Sequence, residues 1–187
     1  MKKFFNIEIV LLILMTTLFA MFTQQKNSWA TQVDCVEHAL FCQIKRNNPK
    51  IKNHHAMYLS NVIYKVTKKY KLNPQIFTAI LAQESRYKLE ARNCTSGYDK
   101  SLLPDKVEIK VCSDYGIGQI YYKTAEAYNL DINRLLYDLE YSVEAGAIVL
   151  SDFKKRYGHK EDDYWSRYNS STKTKRNIYK QLVARFL

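Results

Sequence analysis

Glu84 lies in the stretch "AILAQESRY", Ala79 to Tyr87, where a charge is out of place. Leu81, Ile80, Phe77 and Ile76 stand three, four, seven and eight residues before it, so all four share its face of a helix. The periodicity aims this carboxylate at the core or at the floor of a cleft. A carboxyl removed from water prefers its proton, so its pKa rises. A carboxyl that still holds its proton near neutral pH can act as a general acid. The plainer reading is an ion pair with Arg86, Arg92 or a distant Lys, or a helix end that reaches solvent.

Two more stretches carry groups of use to chemistry. "SDYGIGQI", Ser113 to Ile120, has two glycines in three residues, which let the backbone turn or approach something closely. Gln119 there both donates and accepts hydrogen bonds. "DYWSRYNSS", Asp163 to Ser171, sets aromatic rings beside amides and hydroxyls. Rings pack on the C–H faces of a pyranose while amides and hydroxyls pair with its OH groups. The chain has 15 Tyr, Tyr121 and Tyr122 among them, which suits a polysaccharide groove. Each stretch alone also fits ordinary turn and core use.

The elements that must position these residues are mostly helical. Cys35–Lys45 reads as a short helix, and Asn53–Tyr70 as a longer one that can bury Met57, Val62, Ile63 and Val66. Asn73-Pro74 restarts the helix, with Asn as N-cap and Pro at its first position; it runs to about Tyr87. Thr95 to Asp99 reads as a turn. Val107, Ile109 and Val111 alternate as a short strand does. Helical patterns return at Lys123–Asn129 and at Leu139–Tyr157, where Val143, Ala147 and Leu150 make a stripe. Gly146 within that stripe costs about 1 kcal/mol against Ala, which close helix packing would justify. Lys160–Tyr168 reads as a short helix. Thr174–Phe186 closes the chain with Ile178, Leu182 and Phe186 on one face. The expectation is a mainly α single domain with a small β excursion at about 93–112.

The first thirty of the 187 residues read as an address. Lys2 and Lys3 precede an apolar run, Ile9 to Phe22, broken by Thr16 and Thr17. Ser28-Trp29-Ala30 then offers small residues where a signal peptidase cuts. The run is short for a membrane span, which takes about 20 apolar residues. Residues 1–30 are therefore expected to leave as a signal peptide, only transiently in the membrane, with 31–187 as the working domain. Their removal takes Lys2, Lys3, Lys26 and Glu8 and lowers the net charge from +11 to +9. That excess favours an anionic partner such as a wall polymer or an acidic membrane surface; export argues against nucleic acid.

Cys35, Cys42, Cys94 and Cys112 all follow the signal. An even count in an exported chain suggests two disulfides. Of the three pairings, the local one, Cys35 with Cys42 and Cys94 with Cys112, is preferred because each pair flanks a short segment. No Cys-x-x-Cys occurs and no His lies at ligand spacing from a Cys pair, which speaks against zinc. His54-His55 would face different directions on a helix and read as surface residues. No metal or cofactor is expected.

Taken in order, these pieces resemble the soluble-type (SLT-domain) lytic transglycosylases, with their goose-type-lysozyme-like domain, over about residues 70–187. Glu84-Ser85 is similar to the family's Glu-Ser at the end of an apolar helix. Gly116-Ile117-Gly118-Gln119-Ile120 resembles its Gly-Leu-Met-Gln-Ile/Leu, followed here by Thr124-Ala125 where the family has Thr-Ala. Ser142 to Leu150 resembles its Asn-Ile-x-Ala-Gly-x-x-Tyr-Leu helix. Tyr168-Asn169 resembles its Ala-Tyr-Asn-x-Gly, and Asn177 to Phe186 its closing helix.

The resemblance implies cleavage of the β-1,4 bond between N-acetylmuramic acid and N-acetylglucosamine in peptidoglycan, with a 1,6-anhydro end and no water added. Glu84 would be acid and then base. Ser85, Ser113, Gly116, Gln119, Tyr168, Asn169 and Tyr179 would hold the glycan strand or steady Glu84. Such a scheme needs no second carboxylate; Asp99, Asp105 and Asp114 are the candidates if one exists. The location implied is periplasmic or extracytoplasmic. The small size resembles enzymes that open the wall for secretion or conjugation machinery, a candidate partner. Other readings are a hydrolysing muramidase of the same fold and a catalytically idle wall-binding assembly factor. Gly118 for Met, Arg167 for Ala, Ser142 for Asn and Ser171 for Gly depart from the family pattern and bear on cleft shape.

Overall fold

The computed structural model describes residues 38–98 and 108–187. The expected signal segment lies outside these residues. So do Cys35, and with it the pairing to Cys42, and Asp99 and Asp105. Ala39–Leu187 cluster as one unit. In chain order it comprises α1 (Ala39–Asn47), α2 (Asn53–Tyr70), α3 (Pro74–Ser85), β1 (Arg92–Tyr98) and β2 (Glu108–Tyr115). There follow β3 (Ile120–Tyr121), α4 (Tyr122–Ala127), α5 (Ile132–Tyr137), α6 (Leu139–Tyr157), a 3-10 turn (Tyr164–Tyr168) and α7 (Lys173–Ala184). The domain is mainly helical with one small antiparallel sheet, as expected.

α3 is the axis of the core. Phe77 to Ala82 are all buried, so the helix is buried all round rather than along one stripe, the mark of a helix enclosed by others. The Asn73 side chain accepts from the Ile76 N–H at 3.0 Å, and Pro74 opens the helix. Leu59 and Ile63 of α2, Val143, Ala147 and Leu150 of α6 and Val183 of α7 are buried with it. A second apolar cluster joins Ile120, Ala125, Leu135, Ala145 and Val149 and seats the sheet on α6.

Several boundaries differ from the sequence reading. α3 ends at Ser85, because Arg86 (φ 55°) and Tyr87 (φ 64°) turn left-handed. Thr95 to Tyr98 is strand rather than turn, since its backbone pairs with Glu108–Val111. α5 was not anticipated; its cap is Asp131, whose side chain accepts from the N–H groups of Asn133 and Arg134. The segment 160–168 holds only a 3-10 turn. On α7 the buried residues are Tyr179 and Val183, followed by Phe186, while Ile178 is 54% exposed. The helix is rotated by one position from the expected stripe, and that rotation brings Tyr179 inward.

The Cys94–Cys112 disulfide is present and bonds residues that face each other across β1 and β2.

Candidate active site

Glu84 sits on the last turn of α3, at the floor of a cleft of about 970 Å³. The turn that follows is held against the cost of two consecutive left-handed residues, roughly 1–2 kcal/mol each for residues other than Gly. The Arg86 guanidinium lies 4.3 Å from the Phe186 ring centre. The Asn48 amide donates to the Arg86 carbonyl at 3.0 Å, and the Asn47 amide donates to the Tyr87 hydroxyl at 3.1 Å. Tyr87 itself is buried.

Glu84 keeps an edge on the cleft while most of it is out of water. That desolvation pushes its pKa up from 4.5 to about 7, opposed by the hydrogen bond from Tyr179 and assisted by the negative charge of Asp114. The Tyr179 hydroxyl donates to Glu84 Oε1 at 2.5 Å. Burial and the neighbouring carboxyl hold the Tyr179 and Tyr168 phenols well above their usual range, so both remain donors. The assembly is a carboxyl that keeps its proton near neutrality beside a tyrosine that can stabilise the anion once the proton leaves.

The glycine motif is bolted to this helix end. Gly116 has φ +76°, and a Cβ there would stand 2.4 Å from the Leu135 carbonyl oxygen and 2.6 Å from Ser142 Oγ. Only Gly fits. The Ser142 hydroxyl accepts from the Ile117 N–H at 3.2 Å, and the Ser85 hydroxyl donates to the Ile117 carbonyl at 2.8 Å. Gln119, itself left-handed at φ 46°, donates from Nε2 to the Gly116 carbonyl at 3.0 Å.

Tyr168 donates to the Gly118 carbonyl at 2.9 Å. A Cβ on Gly118 would lie 2.7 Å from the Tyr168 hydroxyl, and one on Gly146 would lie 3.2 Å from that hydroxyl and 3.4 Å from Phe77 Cζ. Both glycines make room for Tyr168, which accounts for Gly146 within α6. Arg167 fixes the same turn: it donates to Glu161 at 3.0 and 2.7 Å, and its guanidinium lies 3.7 Å from the Tyr157 ring centre. Arg176 of α7 reaches Glu161 as well, and Lys180 reaches Asp163 at 2.6 Å. These pairs tie the turn carrying Tyr168 to the helix carrying Tyr179.

Of the expected site residues, Glu84, Gln119, Tyr168 and Asn169 line the cleft. Tyr179 lies beneath it, 2% exposed, and reaches the site through its hydrogen bond to Glu84. Ser85 and Gly116 are buried and shape the glycine loop rather than face the cleft. Ser113 does not line it; its hydroxyl donates to Asp114 Oδ2 at 2.6 Å. The cleft wall also includes Asn93, Asp114 and Tyr121. Asp114 and Tyr121 stood out in the sequence without a site assignment, and Asn93 did not stand out. The signal for Asn93 is its pairing across the sheet, which sequence spacing does not disclose.

The chain belongs to the transglycosylase SLT domain family, whose sequence profile matches residues 61–184. It is thereby an enzyme of the lytic transglycosylase class, acting on peptidoglycan, a polymer that lies outside the cytoplasm. No curated protein and no solved structure matches the chain. Among the described residues, no helix is long and apolar enough to cross a membrane.

Proposed function

We propose that Glu84 carries both proton transfers in a non-hydrolytic cleavage of the bond between N-acetylmuramic acid and N-acetylglucosamine. As acid, Glu84 gives its proton to the glycosidic oxygen while the bond from that oxygen to the anomeric carbon breaks. The Glu84 carboxylate then takes the proton of the muramic 6-hydroxyl as its oxygen bonds to the anomeric carbon. Glu84 ends protonated, and the product is a 1,6-anhydro end. The observation that carries this reading is the desolvated carboxyl on the cleft floor, its pKa raised to about 7, with the Tyr179 hydroxyl 2.5 Å away. Gln119, Tyr168 and Asn169 line the bound strand; Ser85, Ser113 and Gly116 act by holding the walls.

Mass spectrometry of sacculi digested by the protein tests the scheme. The anhydro product is one water lighter than the muramidase product. Hydrated ends would replace this reading with the hydrolytic one, and release of nothing would favour the wall-binding factor.

Residues 1–30 direct export and are removed after Ala30, so the enzyme works in the periplasm or another extracytoplasmic space. N-terminal sequencing of the exported protein checks this. Local opening of the wall for a secretion or conjugation machine is the cellular role proposed for it. Retention of the protein by that machinery in a pull-down tests it.

A further inference from the structure

The wall opposite the acid is built by the sheet, and its register is unusual in one respect. Cys94 pairs with Cys112 and Asn93 with Asp114, so Ser113 is an extra residue opposite no partner. Such a bulge reverses the alternation of side chains beyond it. Without it, Asp114 would share a face with Cys112, two residues earlier. With it, Asp114 stands on the other face, beside Asn93 on one strand and Tyr121 on the next. All three line the cleft that holds Glu84.

The row has unused capacity. The Asn93 amide and the Ser113 hydroxyl both donate to Asp114 Oδ2, at 2.9 and 2.6 Å. Among the described residues no donor reaches Oδ1. Tyr121 takes the N-cap position of α4, yet its side chain caps nothing. Its ring is 41% exposed and is braced by the Tyr122 ring at 4.7 Å. An oriented carboxylate oxygen beside a braced, open ring matches the two surfaces of a sugar, donors at its equator and C–H groups on its faces.

We propose that Asn93, Asp114 and Tyr121 form a subsite for an N-acetylated hexosamine, in which Asp114 Oδ1 accepts from a sugar hydroxyl or acetamido N–H and the Tyr121 ring packs on the pyranose. This rests on the reading of the cleft as a glycan site. Asp114 has a second effect, because its charge faces Glu84. Tyr168 from the 3-10 turn and Tyr179 from α7 also face Glu84, both protonated, and Arg92, Lys123 and Arg156 line the same cleft. Of the charged groups there, Asp114 is the one that raises the pKa of Glu84, so removing its charge lowers that pKa.

The test measures kcat and KM on sacculi across pH for Tyr121→Ala, Tyr121→Phe and Asp114→Asn. Tyr64→Ala is the control, a ring 56% exposed on α2 and off the cleft. Tyr121→Ala raises KM about tenfold, more than it lowers kcat, while Tyr121→Phe, which keeps the ring, recovers most of that loss. Asp114→Asn raises KM and moves the alkaline limb of kcat/KM to lower pH, which a merely structural role would not do.

In parallel, an uncharged N-acetylglucosamine oligomer is titrated into Glu84→Gln with and without each change. That binding decides the row even if the wild type releases nothing from sacculi. Weaker binding in both variants supports it. Unchanged KM and unchanged affinity in Tyr121→Ala, an exposed position, overturn it.

Discussion

Glu84→Gln removes the ionisable proton while keeping the shape and an oxygen for Tyr179 to donate to. Two consequences follow, and they point in opposite directions. The folded protein holds the Glu84 proton up to about pH 7, whereas the ordinary carboxyl releases it near 4.5. Between those values the folded state binds more protons than the unfolded chain, so stability falls as pH rises. At about 1.4 kcal/mol per pH unit, that window is worth about 3 kcal/mol. The contribution is full below 4.5, is lost as pH climbs through about 7, and is flat above. Gln has no such slope. Relative to wild type, Glu84→Gln therefore gains about 3 kcal/mol between about pH 4 and pH 8, roughly 10 °C in Tm for a domain of this size. Activity goes the other way, falling by about 10²–10⁴, the range for loss of a general acid. Urea and thermal melts of both proteins across this range, paired with muropeptide release, make the measurement. Parallel stability curves would refute the desolvated carboxyl, and unchanged release would refute its role.

Other perturbations separate the surrounding parts. Tyr179→Phe removes the hydrogen bond that opposes the rise in the Glu84 pKa, so the alkaline limb of the pH–rate profile moves to higher pH as activity falls, opposite to the shift expected for Asp114→Asn. Gly118→Met drives a Cβ against the Tyr168 hydroxyl; about 1–3 kcal/mol of stability should be lost in a urea melt, together with a rise in KM. Reducing the Cys94–Cys112 bond frees a loop of 18-residue separation, worth about 3 kcal/mol in the chain-entropy model. Tm should drop and KM should rise, because the bulge carrying Asp114 adjoins that bond.

How much was legible in the sequence can be judged residue by residue. Glu84 at the foot of an apolar helix, the Asn73-Pro74 start and the stripe on α6 all follow from neighbours within a few positions. The Cys94–Cys112 pairing, 18 residues apart, follows from preferring cysteines that flank a short segment. Helical periodicity and capping are local and survive being read from a string. The 3.6-residue pattern alone could not choose between Ile178 and Tyr179 for the inner face of α7. That choice is decided by the Glu84 carboxyl, 95 residues away in sequence.

The departures from the family pattern show the same division. Gly118 and Arg167 look arbitrary in the sequence. In three dimensions Gly118 clears a place for the Tyr168 hydroxyl, and Arg167 pins the turn that delivers it. Ser142 is likewise short enough to sit against Gly116 and accept from Ile117. The sequence by itself determined a mostly helical chain with an acid on an oily face and a glycine turn downstream. Only the tertiary structure decided what faces that acid, because a one-residue bulge in the sheet selects the side on which Asp114 stands, and pairing between strands is a non-local interaction that no window of sequence contains.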